Sequence, residues 1–272
     1  MRDAILNRIS TRTFVEEDLT KEQIIEVESI LKKYIDVKGP FGHAVECAFT
    51  LNDEKEGEGK KIGTYGLIKN APAFIGGVVN NTMENIVDFG YIFEHIILEL
   101  TAKDYATCWL GGTFRRKHYR KKLEKNQLIP AISPVGHRAD KRARIDRFIR
   151  SAAQSQNRLD DSKTFFNYQT LEPYGDDGEI IIKQSLCLVR RGPSASNRQP
   201  WRIYIEDNKA HFYIERNKIY GKALLYDMQA LDIGIALAHY DVGLQYFNKK
   251  PRFKRYDVKD IDKKEYILTV EY

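Results

Sequence analysis

The most informative stretch of the sequence reads Gly192-Pro193-Ser194-Ala195-Ser196-Asn197-Arg198-Gln199-Pro200-Trp201. Two prolines stiffen this loop, and its Ser, Asn and Gln side chains can hydrogen-bond a planar heteroaromatic ring. An ordinary tight loop anchored by a buried Trp201 is the alternative interpretation. Apolar and polar side chains then alternate over residues 202–206 and 210–215, on either side of Asp207-Asn208. This pattern predicts a β-hairpin directly after the loop.

A second polar string, Arg8-Ile9-Ser10-Thr11-Arg12-Thr13-Phe14, lies near the N-terminus. It places two guanidiniums and two hydroxyls within five residues. Guanidinium offers paired donors, and hydroxyls add to them, so the string suits a phosphate. Short basic and polar runs are also common at the ends of surface helices, and this signal is therefore weak by itself.

The hydrophobic pattern predicts a mixture of helices and strands. Helices are expected over 2–8, over 20–34 with Thr20 and Gln23 forming a capping box, and over 86–105 and 227–247. Strands are expected over 45–51, 73–79 and 265–271, whereas 179–190 fits either a helix or a strand. The strings Ile86-Val87-Asp88-Phe89-Gly90 and Ala230-Leu231-Asp232-Ile233-Gly234 open the two long apolar helices alike. Gly-Pro pairs at 39–40 and 192–193 add to this likeness, which indicates a weak internal duplication or a chance similarity of two buried helices.

Composition limits the classes of function. No stretch of the 272 residues reaches the roughly 18 uncharged apolar residues of a membrane helix, and no signal core opens the chain, so we expect a cytoplasmic protein. The three cysteines and six histidines are scattered, which argues against a metal site. Residues 115–150 carry thirteen Lys and Arg against three acids, a net charge of +10. A solvated helix, a phosphate clamp or a nucleic-acid surface would each explain this window.

The motifs together resemble those of the nitroreductase family of FMN flavoproteins. The family's Arg-x-Ser-x-Arg/Lys-x-Phe string is matched at 8–14, and its Pro-Ser-x-x-Asn-x-Gln-Pro-Trp string is matched at 193–201. A third motif, small-Thr-Cys-Trp-aliphatic-Gly, is matched at 106–111. The segment 129–137 resembles the family's strand before a basic phosphate-binding tail. The resemblance implies an α+β fold of the nitroreductase type.

The order of the motifs departs from that of ordinary members. Those carry the Pro-Ser-Asn-Gln-Pro-Trp loop soon after the Arg-Ser string, in one subunit of a homodimer, whereas here it follows about 180 residues later. The sequence therefore resembles the internally duplicated variant, in which one chain imitates the dimer. This implies a first half over 1–150, a linker over 151–165 and a second half over 166–272, each half with an antiparallel or mixed sheet flanked by helices. Only the first half has an Arg-Ser string, so a monomer with one FMN between the halves is expected.

Carried over by motif, the resemblance assigns roles to individual residues. Arg8 and Ser10 would hold the FMN phosphate and ribityl chain, Arg12 would lie nearer the ring, and backbone N–H groups around 110–112 would approach its N5–O4 edge. Asp104-Tyr105 replaces the family's usual Gly-Leu, which leaves the geometry there open. The implied cofactor-binding set is Arg8, Ser10, Arg12, Tyr65, Lys69, Leu110, Gly111, Gly112, Lys141, Arg142, Arg144, Pro193, Ser194, Ser196 and Asn197.

The resemblance also implies a reaction. NAD(P)H would reduce FMN and depart, and a small-molecule acceptor such as a nitroaromatic or quinone would take the electrons in the same space. No protein side chain is then required as a nucleophile or acid–base catalyst, and neither a metal nor a membrane or nucleic-acid partner is expected. The alternatives are flavin breakdown, dehalogenation, FMN binding without turnover, and a nucleic-acid-associated protein that uses the basic window.

Overall fold

In the computed structural model of the chain, the described residues are 1–52, 63–116, 123–140, 157–175, 178–217, 226–258 and 260–272. They form helices and two separate sheets, and the predicted α+β class is confirmed. Among these residues, no helix combines the length and the apolar character needed to cross a membrane.

The first sheet is built from the N-terminal part of the chain. Its strands follow the order β1-β2-β5-β3, with β4 paired to β2, and every pairing is antiparallel. Three helices accompany this sheet. The elements are α1 (Arg2–Asn7), α2 (Lys21–Lys33), β1 (Glu46–Leu51), β2 (Ala73–Asn80), α3 (Met83–Ala102), β3 (Ala106–Thr107), β4 (Gln127–Leu128) and β5 (Ile132–Gly136).

The second sheet is built from the C-terminal part. Its order is β6-β7-β8-β10-β9, in which β6 runs parallel to β7 and the other neighbours are antiparallel. Two helices accompany it, and short 3₁₀ turns lie at Asp161–Lys163 and Ala195–Asn197. The elements are β6 (Phe165–Asn167), α4 (Ile180–Arg191), β7 (Trp201–Glu206), β8 (Lys209–Glu215), α5 (Met228–Tyr246), β9 (Arg252–Lys254) and β10 (Lys264–Glu271).

The long helices α3 and α5 form the centre of the molecule. Both are buried on nearly all sides, as their continuous apolar sequences predict. They cross where Gly90 meets Gly234. A Cβ at Gly90 would collide with the carbonyl oxygen of Leu231, and a Cβ at Gly234 would collide with that of Val87. The absent side chains therefore allow the two backbones to touch.

Most predicted elements are present within a few residues of their expected bounds. The capping box is complete, since the Thr20 side chain accepts from the Gln23 N–H and the Gln23 side chain accepts from the Thr20 N–H. The hairpin after Trp201 has the expected register, and the ambiguous segment 179–190 is helical. Of the proposed linker 151–165, residues 151–156 lie outside the described part, and the proposed division into halves stays a prediction.

Candidate functional site

A cavity of about 1060 Å³ lies where the end of α1, the segment after β3, the end of α4 and the start of α5 meet. It brings together the N-terminal string, the Cys-Trp-Leu-Gly segment and the loop before β7, although these motifs are far apart in sequence. The predicted site residues that line it are Arg8, Ser10, Arg12, Leu110, Gly111, Gly112, Pro193, Ser194, Ser196 and Asn197.

The N-terminal string is held beside the first sheet by backbone bonds. Arg8 ends α1, and its N–H donates to the carbonyl of Ala4 at 2.8 Å. Ser10 forms a bridge with Thr107 of β3, and the Thr11 N–H donates to the Thr107 carbonyl at 2.9 Å. These contacts fix the direction of the string, so that Arg8, Ser10 and Arg12 all reach the cavity.

Arg8 meets a buried carboxylate that is already engaged. Glu94 of α3 is fully buried, and one of its oxygens accepts from Trp109 Nε1 at 2.6 Å while the other lies 2.9 Å from His239 Nε2. Burial alone would raise the Glu94 pKa, but these bonds and the charges of His239 and Arg8 keep it below its ordinary value.

The Arg8 guanidinium is only partly satisfied by hydrogen bonds and ion pairs among the described residues. Its Nε comes no nearer than 4.0 Å to the Glu94 carboxylate, and its buried Nη1 has no hydrogen-bond partner among the described residues. Its side chain is only 7% exposed. A buried donor without a partner is costly, so this atom indicates a place for an acceptor.

The loop before β7 is fixed by a second buried carboxylate. Asp232, in the first turns of α5, accepts from the Ala195 N–H at 3.1 Å and 3.2 Å. Burial raises the pKa of Asp232 well above its ordinary value. Ser196 and Asn197 have positive φ angles of 46° and 56°, a conformation that is uncommon outside glycine. Such strain occurs often at ligand sites, because the surrounding structure must hold it in place.

Arg158 brings a further cation to the cavity. Its Nη1 donates to the Asn197 Oδ1 at 2.7 Å and to the Gly192 carbonyl at 3.3 Å, and its Nη2 donates to the Arg191 carbonyl at 3.2 Å. All three acceptors are neutral. Burial and the nearby charges of Arg8, Arg191 and Arg190 lower the pKa of Arg158 to about 10. Four arginines that line the cavity thus form a cluster: Arg8, Arg158, Arg190 and Arg191. Their positive charges repel one another, and the cluster therefore favours the binding of an anion.

The segment after β3 offers backbone donors. The Leu110 N–H is committed to the Ile132 carbonyl at 2.9 Å, so it is not free for a ligand, contrary to its expected role. Gly111 and Gly112 line the cavity, and their N–H groups have no partner among the described residues. A Cβ on Gly111 would come within 2.9 Å of both Met228 Cε and Tyr226 Oη, so a larger residue there would require both side chains to shift.

Two predicted residues do not join this site. Tyr65 and Lys69 do not line the cavity. Tyr65 is mostly exposed, with the Arg115 guanidinium 5.8 Å from its ring centre, and Lys69 forms backbone bonds with Arg12 and Phe14. The basic tail residues Lys141, Arg142 and Arg144 lie outside the described residues.

Several lining residues were missed by the sequence analysis. Arg158 lies in a polar stretch that was interpreted as a linker, and Arg190 and Arg191 lie at the end of α4, where basic residues also suit the helix dipole. Tyr226 and Met228 precede and open α5. Only the Arg190-Arg191 pair directly before Gly192-Pro193 was a signal, because it places two cations next to the recognised loop. Among the described residues, no group of His, Cys, Asp and Glu side chains is arranged to hold a metal ion.

The two sheets, the central helix pair and the cavity define a protein of the nitroreductase fold. A family model described as "Putative TM nitroreductase" matches residues 1–244, so the chain belongs to that family. The predicted resemblance to nitroreductases is confirmed. No curated protein matches the sequence.

Several solved structures are similar to this chain. A "putative nitroreductase" from Thermotoga maritima superposes with a TM-score of 0.63 at 20% identity, covering 99% of this chain and 91% of that one. An FMN-dependent nitroreductase from Clostridium difficile is 16% identical and covers 52% of this chain and 90% of its own, with a TM-score of 0.40. A nitroreductase family protein from Clostridium novyi is 18% identical, and the match covers 54% of this chain and 89% of that one, with a TM-score of 0.38.

Proposed function

We propose that the chain binds FMN in this cavity and is an FMN-dependent NAD(P)H oxidoreductase that reduces nitroaromatic or quinone-type acceptors. The observation that carries the proposal is the buried, unpartnered Nη1 of Arg8 beside the self-repelling arginine cluster. Membership of the nitroreductase family supports it. The volume of about 1060 Å³ is at the upper end for small-molecule sites and leaves room for a second planar molecule.

The arginine cluster is the proposed phosphate subsite. Arg8 and Arg158 approach it from different parts of the chain, and guanidinium forms strong paired bonds with phosphate oxygens. Ser10 lies two residues beyond Arg8 on the same cavity wall and suits the ribityl hydroxyls. In this assignment the phosphate neutralises the positive charge of the arginine cluster, which the described residues leave unbalanced.

The second subsite that we propose is for the flavin ring. Gly111 and Gly112 offer backbone donors, Arg12 adds a cation, and Pro193, Ser194 and Ser196 also line the cavity. When bound, FMN would supply the hydride chemistry. The chain's own contribution is to orient the ring and to place donors and positive charge where negative charge develops on reduction. NAD(P)H and the acceptor would use the remaining space in turn.

We also propose that the cavity is shared by two halves of a duplicated chain, with the division 1–150, 151–165 and 166–272. The contacts at the helix crossing are reciprocal, because Gly90 meets Leu231 while Gly234 meets Val87. Asp88 and Asp232, two residues before these glycines, both accept backbone N–H groups from a loop that follows a Gly-Pro pair. Reciprocal contacts of this kind are typical of two-fold symmetry.

Release of the cofactor tests the proposal directly. Protein purified with added FMN should be yellow, and the flavin released on denaturation should have the mass of FMN. A variant with Arg8→Ala and Arg12→Ala should fold but be colourless. The control pair Arg252→Ala and Arg255→Ala removes two largely exposed arginines from β9 and the segment after it and should keep its flavin. Full FMN occupancy in the Arg8 and Arg12 variant would refute the site.

Turnover is tested separately. Anaerobic addition of NADH or NADPH should bleach the bound flavin, and a nitroaromatic or quinone should restore the oxidised spectrum. Protein that holds FMN but is not bleached by either nucleotide would be a flavin carrier, and the oxidoreductase part of the proposal would then fail. Retention of nucleic acid without flavin would instead support the basic-surface alternative.

A further inference from the structure

The Gly111 carbonyl is held by two side chains from different parts of the chain. The Tyr226 hydroxyl donates to it at 3.0 Å, and Arg116 Nη2 donates to it as well. Arg116 is itself fixed, since the same nitrogen donates to the Pro130 carbonyl at 2.8 Å and its guanidinium lies 5.2 Å from the centre of the Tyr226 ring. Two fixed donors on one carbonyl leave the peptide that follows it little freedom to rotate.

The orientation of this carbonyl also sets the next N–H. No peptide bond among the described residues is cis, and in a planar trans peptide the C=O and the following N–H point in opposite directions. The Gly112 N–H therefore points away from the Tyr226 hydroxyl. It has no partner among the described residues, and Gly112 lines the cavity.

Tyr226 suits the task of holding the peptide. It is 7% exposed, and burial raises the pKa of its hydroxyl, so the group stays protonated as a donor. Its oxygen also lies within 2.9 Å of where a Cβ on residue 111 would be. The tyrosine thus packs closely against the Gly111 peptide as well as bonding to it.

We propose that Tyr226 and Arg116 are positioning residues that aim the Gly112 N–H at the flavin ring edge where charge develops on reduction. This inference rests on the proposed binding of FMN in the cavity. A fixed donor stabilises the reduced flavin more than the oxidised flavin, because the reduced ring carries more negative charge at that edge. The two side chains therefore tune the reduction potential of the flavin without touching it through their own polar atoms.

The variant Tyr226→Phe tests this role because it removes the hydroxyl and keeps the ring. Bound FMN should remain stoichiometric, but its two-electron reduction potential should fall by about 30 mV, which corresponds to a tenfold change in the equilibrium. Tyr240→Phe is the matched control, since it removes another buried hydroxyl, one without a partner among the described residues and outside the cavity lining. A potential in Tyr226→Phe equal to that of the control would overturn the proposal.

A measurement on flavin-free protein separates this inference from the function it rests on. In protein labelled with ¹⁵N-glycine, the resonance of the Gly112 amide should shift in Tyr226→Phe, but not in Tyr240→Phe. Arg116→Met should have the same effect if it remains folded, which its thermal transition will show. An unchanged Gly112 amide would contradict the positioning role. Wild-type protein that never binds FMN would refute the proposed function, whatever the amide shows.

Discussion

Single side chains give the described part of the cavity lining an excess of positive charge, with five arginines and one buried aspartate, Asp232. Glu94 is shared by Trp109 and His239 and lies 4.0 Å from the Arg8 Nε. Arg190 is paired with Asp161 at 3.4 Å, but both of these side chains are about half exposed, where an ion pair contributes little. Arg158 bonds only to neutral acceptors among the described residues. We therefore expect this cluster to bind an anion.

Arg158→Gln should weaken FMN binding by about 10- to 100-fold, the range expected when a hydrogen bond to a charged group is lost. The affinity for riboflavin, which has no phosphate, should change much less, because the lost interaction is with phosphate. Isothermal titration with both flavins measures the difference. Arg190→Gln is the control, since Arg190 is already paired with Asp161, and its effect should be smaller. Equal losses for FMN and riboflavin would contradict the phosphate role of Arg158.

Asp232 gives a prediction for stability against pH. Its pKa is raised by burial in the folded chain, so the contribution of Asp232 to stability falls as the pH rises above the ordinary Asp value of about 3.9, by at most about 1.4 kcal/mol per pH unit. Asp232→Asn keeps an acceptor for the Ala195 N–H but has no charge to bury. The free energy of unfolding of the variant, relative to that of the wild type, should therefore increase as the pH rises above about 4. Urea unfolding at several pH values measures this difference. If the difference in stability between variant and wild type does not vary with pH, the pKa of Asp232 is not raised in the folded chain.

At the scale of elements, sequence predicted most of the fold because local signals and packing agree. The capping box fixes the start of α2, and Asn-containing turn chemistry fixes the hairpin after Trp201. The segment 179–190 was ambiguous for a physical reason. Its run Ile180-Ile181-Ile182 has strand-forming β-branched side chains, whereas Ile182, Leu186 and Val189 share one helical face. Packing against α5, where Gly243 meets Ser185, favours the helix.

The candidate site was predictable only where its residues lie in contiguous motifs. Ten of the fifteen predicted residues line the cavity; nine of these belong to one of three recognised strings, and Gly112 directly follows one of them. Arg158 and Tyr226 could not be found in this way, because they belong to no motif and reach the cavity only through the packing of α4 and α5. The Leu110 N–H was assigned incorrectly, since the sequence does not reveal that it bonds to Ile132.

The crossing of α3 and α5 predicts an unusual response to alanine. In an open helix, Gly→Ala stabilises by about 1 kcal/mol, but at Gly90 or Gly234 the new Cβ would strike a backbone carbonyl. Each single substitution should therefore destabilise the chain by about 1–3 kcal/mol or more, the usual cost of overpacking. Chemical denaturation measures this loss, and a gain in stability at either position would show that the helices can separate at no cost.

At the scale of the whole molecule, the two sheets occupy separate parts of the sequence and meet through the central helices. The first sheet ends with β5 at Gly136, and the second begins with β6 at Phe165. The cavity nevertheless takes Arg8 and Gly111 from the first part, Arg158 from the segment between the sheets, and Asn197 from the second part. Residues of one chain therefore form the described lining of the cavity.

This arrangement predicts one FMN per chain and a site that a second copy cannot repair. Native mass spectrometry at saturating FMN should find one flavin for each polypeptide. A mixture of two variants, Arg8→Ala in the first part and Arg158→Gln in the segment between the sheets, should bind no more FMN than either variant alone, at a concentration where neither is loaded. In a dimer whose sites combine two chains, every hybrid would instead contain one intact site. Recovery of binding on mixing would show that the cavity is completed between molecules.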